Sequence, residues 1–249
     1  MKTTNFRIVL VIVCMITGTS LFSQDIYQAV RDGNIQLVEK FLKNDPNLLN
    51  AKNEDAMTPL NLAAEMDQYE IAKLLLAQGA DPLLGDNENS GPIHLAAISG
   101  SKRIVDLLRE KGVDIDAKDD NGLTALHFAL SRRQFQMARH LIKEGADVKI
   151  STNNGFSTIH FAVIGGDLEL VKLLVEKKAE INTQLENGIT PLFSAVSFGH
   201  TAITKYLVEN GANMKAENDI GDQALSFARN PNTYEAAAFL IEKGGDVKH

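Results

Sequence analysis

The sequence predicts an all-α protein, a linear array of about seven helix-turn-helix units with tight turns at their tips. Three observations carry this. A six-residue phrase occurs six times, beginning at Thr58, Gly91, Thr124, Ser157, Thr190 and Gln223, each copy 33 residues after the last. An Asn-Gly pair stands just upstream at Asn121-Gly122, Asn154-Gly155 and Asn187-Gly188. A Gly-Ala-Asp or near match closes most units, at Gly79-Ala80-Asp81, Gly145-Ala146-Asp147, Gly211-Ala212-Asn213 and Gly244-Gly245-Asp246. A fixed period of this length marks stacked units, none of which can bury its apolar side alone.

The elements follow in order. Residues 1–23 are a leader: Lys2 and Arg7 precede an apolar run from Ile8 to Ile16, and Gly18, Thr19, Ser20 and Ser23 supply small residues before Gln24. This is a secretory signal pattern, with cleavage expected after Ser23. The run is short for a span of about 20 residues. A retained anchor and a lipidated Cys14 are the alternatives; Val13, which is not a small residue, disfavours the second. An imperfect first unit starts near residue 24. It has an inner helix ending near Ala29–Gly33, an outer helix over Ile35–Leu42, and a one-residue offset absorbed by Asn44–Asn47. Atypical terminal units are expected where an outer face meets water. Regular units start near 58, 91, 124, 157, 190 and 223.

The unit at Thr124 shows the local logic. Asn-Gly tolerates positive φ and makes the turn. Thr124 caps a short inner helix. Pro59, Pro92 and Pro191 occupy the first helical position, where no N–H is wasted. The small Ala63-Ala64, Ala96-Ala97 and Ala129 allow close neighbours. Met137, Leu141 and Ile142 repeat at outer-helix spacing, and Gly145 ends that helix in a left-handed conformation. Departures are local. Ala56 and Asn89 replace the turn glycine; Ala disfavours positive φ, so a differently shaped turn is expected before Thr58. Asp67 and Arg133 replace the glycine between helices, and Lys178 the terminal glycine, predicting strain there. Arg229-Asn230-Pro231-Asn232 breaks the last inner helix early, leaving Tyr234–Lys243 as a cap.

The phrase Thr-Pro-Leu-His-x-Ala and its period resemble the ankyrin repeat, over roughly residues 24–249. The resemblance implies an ankyrin-repeat solenoid whose turn tips and inner helices form one concave groove. It also implies that His94, His127 and His160, at one phrase position, bond the neighbouring turn and the cap hydroxyl rather than a metal. Two variable positions of the family point into the groove. Read here, they give a candidate partner-binding set of Met57, Met66, Ile98, Leu123, Arg132, Phe156, Ile164, Ile189 and Phe198. An exposed apolar stretch of this kind usually binds a partner. The competing reading is mutual packing between turns. An acidic rim of Glu54, Asp55, Glu88, Asp120, Glu186, Asp219 and Asp222 surrounds it.

Composition narrows the function. Cys14 is the sole cysteine, so a processed chain forms no disulfide. No Asn-x-Ser/Thr site occurs, which favours a bacterial exported protein, periplasmic or secreted. Without Lys2 and Arg7 the chain has 23 basic and 32 acidic residues, a net charge of −9. That balance argues against nucleic acid and anionic membrane surfaces. There is no nucleophile elbow and no phosphate loop. Asp119-Asp120-Asn121-Gly122 starts like a calcium loop, but Ser131 stands where the bidentate Glu belongs. The expectation is a non-catalytic scaffold without cofactor or metal, monomeric, with no membrane span after leader removal, binding another protein outside the cytoplasm. A self-associating structural module and a metal or small-molecule sensor are the alternatives.

Overall fold

The structure, a computed structural model, describes residues 20–229 and 231–245. The expected leader therefore lies outside the described residues, apart from Ser20–Ser23, which begin the first helix. Asn230 and Asp246 also lie outside them. Thirteen α-helices are present among the described residues, with two isolated bridges, Ser151–Ser157 and Glu217–Gln223, and no strand. None of these helices is long and apolar enough to cross a membrane.

The chain forms two compact units, one up to Asp114 and one from Ile115. The first holds α1 (Ser20–Arg31), α2 (Ile35–Asn44), a 3-10 turn (Pro46–Asn50), α3 (Pro59–Glu65), α4 (Tyr69–Ala77), α5 (Pro92–Ser99) and α6 (Lys102–Glu110). Inner helices pack on inner helices (α1 on α3, α3 on α5) and outer on outer (α2 on α4, α4 on α6). The second holds α7 (Ala125–Ser131), α8 (Phe135–Lys143), α9 (Thr158–Gly165), α10 (Leu168–Glu176), α11 (Pro191–Ser197) and α12 (Thr201–Glu209). Its last repeat has only a 3-10 turn (Ala224–Phe227) for an inner helix, a second at Pro231–Thr233, and the outer helix α13 (Tyr234–Glu242). The early break expected at Pro231 is what shortens it.

Each core is layered between repeats. Leu60, Ile71, Leu75, Ile93, Ile104 and Leu108 are fully buried in the first unit, and Leu126, Met137, Leu141, Ile159, Leu174 and Leu207 in the second. The 100% burial of the small Ala63, Ala96, Ala129, Ala162 and Ala195 shows why the phrase ends in Ala. No larger side chain fits between inner helices packed this closely.

The substituted glycines keep glycine's conformation. Ala56, Asp67, Asn89, Arg133 and Lys178 all have positive φ, between 53° and 69°. The expected change of turn shape before Thr58 does not occur. Asn53 N–H donates to Met57 O at 3.0 Å and Ala56 N–H to Asn53 O at 3.0 Å. Asp119, Leu123 and Gly122 make the same pair of bonds at 2.9 and 3.0 Å. The Asn53 carboxamide explains it: its Oδ1 accepts from Asp55 N–H at 3.0 Å and Met57 N–H at 2.8 Å, fixing the turn against the preference of Ala56. Left-handed backbone costs a residue with Cβ about 1–2 kcal/mol, and a glycine gives back about 0.4–1 kcal/mol in the unfolded chain. Ala56→Gly and Lys178→Gly are each expected to raise unfolding free energy by about 0.5–1 kcal/mol in urea melts; a loss of stability contradicts the strain reading.

Candidate functional site

The surface read from the sequence is built on the turn tips and the C-terminal ends of the inner helices. In the second unit the residue before each of the three inner-helix caps Thr124, Ser157 and Thr190 donates to a side chain of its own turn, four residues back in the first two and two back in the third. The N–H groups of Leu123, Phe156 and Ile189 donate to Asp119 Oδ1 at 2.7 Å, Thr152 Oγ1 at 3.1 Å and Asn187 Oδ1 at 3.3 Å. Their carbonyls accept from Asp119, Thr152 and Leu185 N–H at 2.8–2.9 Å. Both backbone groups being used, the side chains project from a fixed turn. Asp119 Oδ1 also accepts from Asn121 N–H at 2.9 Å, so this carboxylate shapes the turn that resembled a calcium loop. Neighbouring tips are linked: Asn153 N–H donates to Asn121 O at 3.0 Å, and Asp219 N–H to Asn187 O at 3.2 Å.

The nine candidates divide between the units. In the first, Met57 and Ile98 are half-buried and Met66, which ends α3, is 45% exposed. In the second, Leu123, Phe156, Ile164 and Ile189 are half-buried, while Arg132 and Phe198, at the ends of α7 and α11, are exposed, Phe198 by 57%. Phe156 packs on Phe161, ring centres 5.5 Å apart, and edge-on to His160 at 6.0 Å. Phe198 stacks on His200 at 6.1 Å with the rings 14° apart. His200 Nε2 lies 3.4 Å from Ile164 O, and its ring covers Gly166, where a Cβ would come within 2.7 Å of it. Thus Ile164, Gly166, Phe198 and His200 form one local surface. Of the rim residues, Asp120, Glu186 and Asp219 are exposed. Phe161 and His200 were not read as part of the surface; the aromatic following the phrase histidine, Phe128 and Phe161, was the available signal.

Two clefts of about 350 and 370 Å³ lie elsewhere. One is lined by Glu39, Leu42, Lys43, Leu74 and Gln78, the other by outer-helix ends around Val175–Asn182 and Asn210. None of the nine candidates lines either.

The phrase histidines are structural. His127 and His160 are fully buried. Nδ1 of each accepts the backbone N–H of its cap residue, Thr124 at 3.1 Å and Ser157 at 3.3 Å, and lies 2.9 Å from the cap hydroxyl. Nε2–H then donates across the repeat, from His127 to Ile150 O at 3.1 Å and from His160 to Ile189 O at 3.3 Å. Both ring nitrogens are committed, and neither is open to a metal. Asn61 performs the same task at Thr58, with Nδ2 reaching Ser90 O at 3.4 Å. Phe193 cannot accept a hydrogen bond, and the buried Thr190 hydroxyl there has no partner.

Burial lowers both imidazoles to about pKa 4, against the single backbone bond each donates, which acts the other way. The folded chain keeps them neutral while the unfolded chain protonates near 6.5. Their contribution is complete above pH 6.5 and is lost as pH falls from 6.5 to about 4, by about 3 kcal/mol per histidine at the low limit. His160→Asn, copying Asn61, is expected to remove one histidine's share of this slope in urea melts between pH 7 and 4. An unchanged slope contradicts the assignment.

The family description "Ankyrin repeats (3 copies)" matches residues 26–119, 93–185 and 159–249. The chain is 44% identical over 57 residues to Ankyrin repeat and SAM domain-containing protein 6 of Rattus norvegicus, a stretch covering 23% of this chain and 6% of that one. It is 39% identical over 70 residues to a putative ankyrin repeat protein of Rickettsia bellii (strain RML369-C), covering 26% and 41%. The chain thus spans well under two thirds of either relative. The crystal structure of the ankyrin repeat domain of Bcl-3, a member of the IkappaB protein family, is similar over 87% of this chain and 97% of that one, with 28% identity and a TM-score of 0.71. The chain belongs to the ankyrin-repeat family.

Proposed function

We propose that this chain is a protein-binding scaffold acting outside the cytoplasm, and that it receives an apolar partner segment flanked by Lys or Arg. Ankyrin repeats are protein–protein interaction modules, and their fold is typically a non-catalytic scaffold. The observation that carries the reading is the surface around Phe198. A large aromatic side chain, 57% exposed, lies flat on His200 beside Ile164, on rigid helix ends. The partly buried Phe156 and Ile189 present further apolar area from turns held on both sides of the peptide. Exposed Asp120, Glu186 and Asp219 in the same unit supply negative charge at the tips, which favours a cationic flank. Arg132 is the exposed cation among the candidates. Burying three or four apolar side chains contributes about 1.5–3 kcal/mol each before ordering costs. Micromolar affinity needs about 8 kcal/mol, so the cationic flank has to add to what the apolar area contributes.

The site of action rests on the leader: Lys2 and Arg7 before the apolar Ile8–Ile16, with small residues up to Ser23. Export of the chain from a bacterial host, followed by N-terminal sequencing, is expected to find Gln24 as the first residue. Recovery of the intact Met1 terminus from the cytoplasm contradicts export.

For the surface, Phe156→Ser with Phe198→Ser is the decisive variant. Its binding to a partner captured by the wild-type chain should fall at least tenfold by titration calorimetry. Phe198→Ser alone should leave the melting curve unmoved. Undiminished binding by the double variant rules out this face.

A further inference from the structure

The Asn-Gly pairs that turn the tips carry a chemistry of their own. Four such pairs occur, Asn121-Gly122, Asn154-Gly155, Asn187-Gly188 and Asn210-Gly211, and all four asparagines are exposed. Glycine has no Cβ to keep its backbone nitrogen away from the side-chain carbonyl of the residue before it. That nitrogen can attack Cγ of the asparagine only once its own hydrogen bond is given up. Each is bonded: the N–H groups of Gly122, Gly155, Gly188 and Gly211 donate to Asp119, Thr152, Leu185 and Val208 O at 2.9–3.1 Å. The reaction therefore waits on local opening of the turn, and the least restrained turn reacts first.

Three of the four asparagines are tied down further. Asp119 Oδ1 accepts from Asn121 N–H at 2.9 Å and Leu123 N–H at 2.7 Å, and Asn121 O accepts from Asn153 N–H at 3.0 Å. Asn187 O accepts from Asp219 N–H at 3.2 Å, and Asn187 Oδ1 from Ile189 N–H at 3.3 Å. Asn210 Nδ2 donates to Tyr206 O at 2.8 Å, back along the helix it ends. Asn154 differs. Among the described residues no hydrogen bond is made by its side chain or to its carbonyl. Its turn has one side-chain anchor, Thr152 Oγ1 on Phe156 N–H at 3.1 Å. The isolated bridge Ser151–Ser157 closes the base of this tip and leaves the Asn-Gly peptide outside it. Asn153 is bonded to the preceding tip, so that restraint stops one residue short of Asn154.

We propose that Asn154 is a covalent modification site, converted without an enzyme to isoaspartate. Gly155 N bonds to Asn154 Cγ, the bond from Cγ to Nδ2 breaks, and ammonia leaves with the Gly155 amide proton. The cyclic imide that results takes up water. Cleavage at the Asn154 backbone carbonyl leaves the chain running through Cγ, as isoaspartate; cleavage at Cγ gives aspartate. Water is the one co-reactant. Either product adds a carboxylate to a tip already flanked by the exposed Asp120 and Glu186. Asn153 Nδ2 donates to Asp120 O at 2.9 Å, and a Cβ on Gly155 would lie 3.9 Å from Glu186 N. Isoaspartate also lengthens the main chain by a methylene, two residues before Phe156. The site stands whether or not the surface around Phe198 binds a partner.

The test is tryptic mass spectrometry of the folded full chain, sampled over weeks in warm neutral buffer. The four pairs fall in four separate peptides, Asp119–Arg132, Ile150–Lys172, Ala179–Lys205 and Tyr206–Lys215. Fragmentation reads which residue changed and separates isoaspartate from aspartate. Asn154 is expected to convert first, with isoaspartate the larger product. Its rate should exceed those of Asn121, Asn187 and Asn210 by about two- to tenfold, the factor that one retained hydrogen bond is worth. In strong urea the four rates should converge, since glycine follows each asparagine. Thr152→Asp, which copies the Asp119 anchor, should slow Asn154 by a similar factor, and Thr152→Ser, which keeps the single anchor, should not. Should Thr152→Asp fold poorly, the wild-type order and its loss in urea decide. An Asn154 that stays intact, an earlier change at any of the other three, the same order in urea, or a folded Thr152→Asp that reacts at the wild-type rate overturns the proposal.

Discussion

A neutral imidazole at the start of an inner helix holds one repeat to the next. In His160 one nitrogen completes the cap of its own helix and the other donates to the carbonyl of Ile189, on the following turn. Short helices of seven or eight residues are marginal alone, so tertiary bonds decide whether they form. Linking the cap to the next turn makes local helix formation and repeat stacking one event. It also fixes Ile189, a candidate contact residue, through the same carbonyl. The packing that preserves the fold thus positions the surface, at the cost of burying a group that acid can charge.

Much of the fold was legible because the signals are local and repeated. The period, the prolines at the first helical position and the alanine pairs each have one physical reading, and they agree with one another. What escaped was tertiary override. Ala56 read as a change of turn shape, yet the Asn53 carboxamide holds it at positive φ in the ordinary turn. Lys178 read as strain, and it carries that strain in an unaltered helix exit, with Ala179 N–H still reaching Leu174 O at 2.9 Å. A side-chain bond two or four residues away outweighs the backbone preference of one residue.

The surface was less legible than the fold. Periodicity names which positions face the turns but gives no degree of exposure. Phe156, on a turn, and Phe198, at a helix end, were read alike as groove positions, yet one packs on Phe161 and the other is mostly open. The difference arises from the ring each one meets, Phe161 and His160 beside Phe156 and His200 alone beside Phe198, which the period does not encode. His200 shows the same gap: it is the ring against which Phe198 stacks, and it occupies the space a Cβ at Gly166 would need. The exposure of Tyr234 and Ile241 on α13 was invisible for another reason. An apolar outer helix looks the same in sequence whether or not a neighbour covers it.

The tautomer of the buried histidines is the most direct test of this account. Nitrogen-15 NMR of the His127 and His160 rings across pH 4–7 reads which nitrogen carries the proton. The account predicts neutral rings protonated at Nε2, persisting well below the ordinary histidine range. Rings protonated at Nδ1, or titrating near pH 6.5, would contradict the link between helix cap and neighbouring turn on which the rest depends.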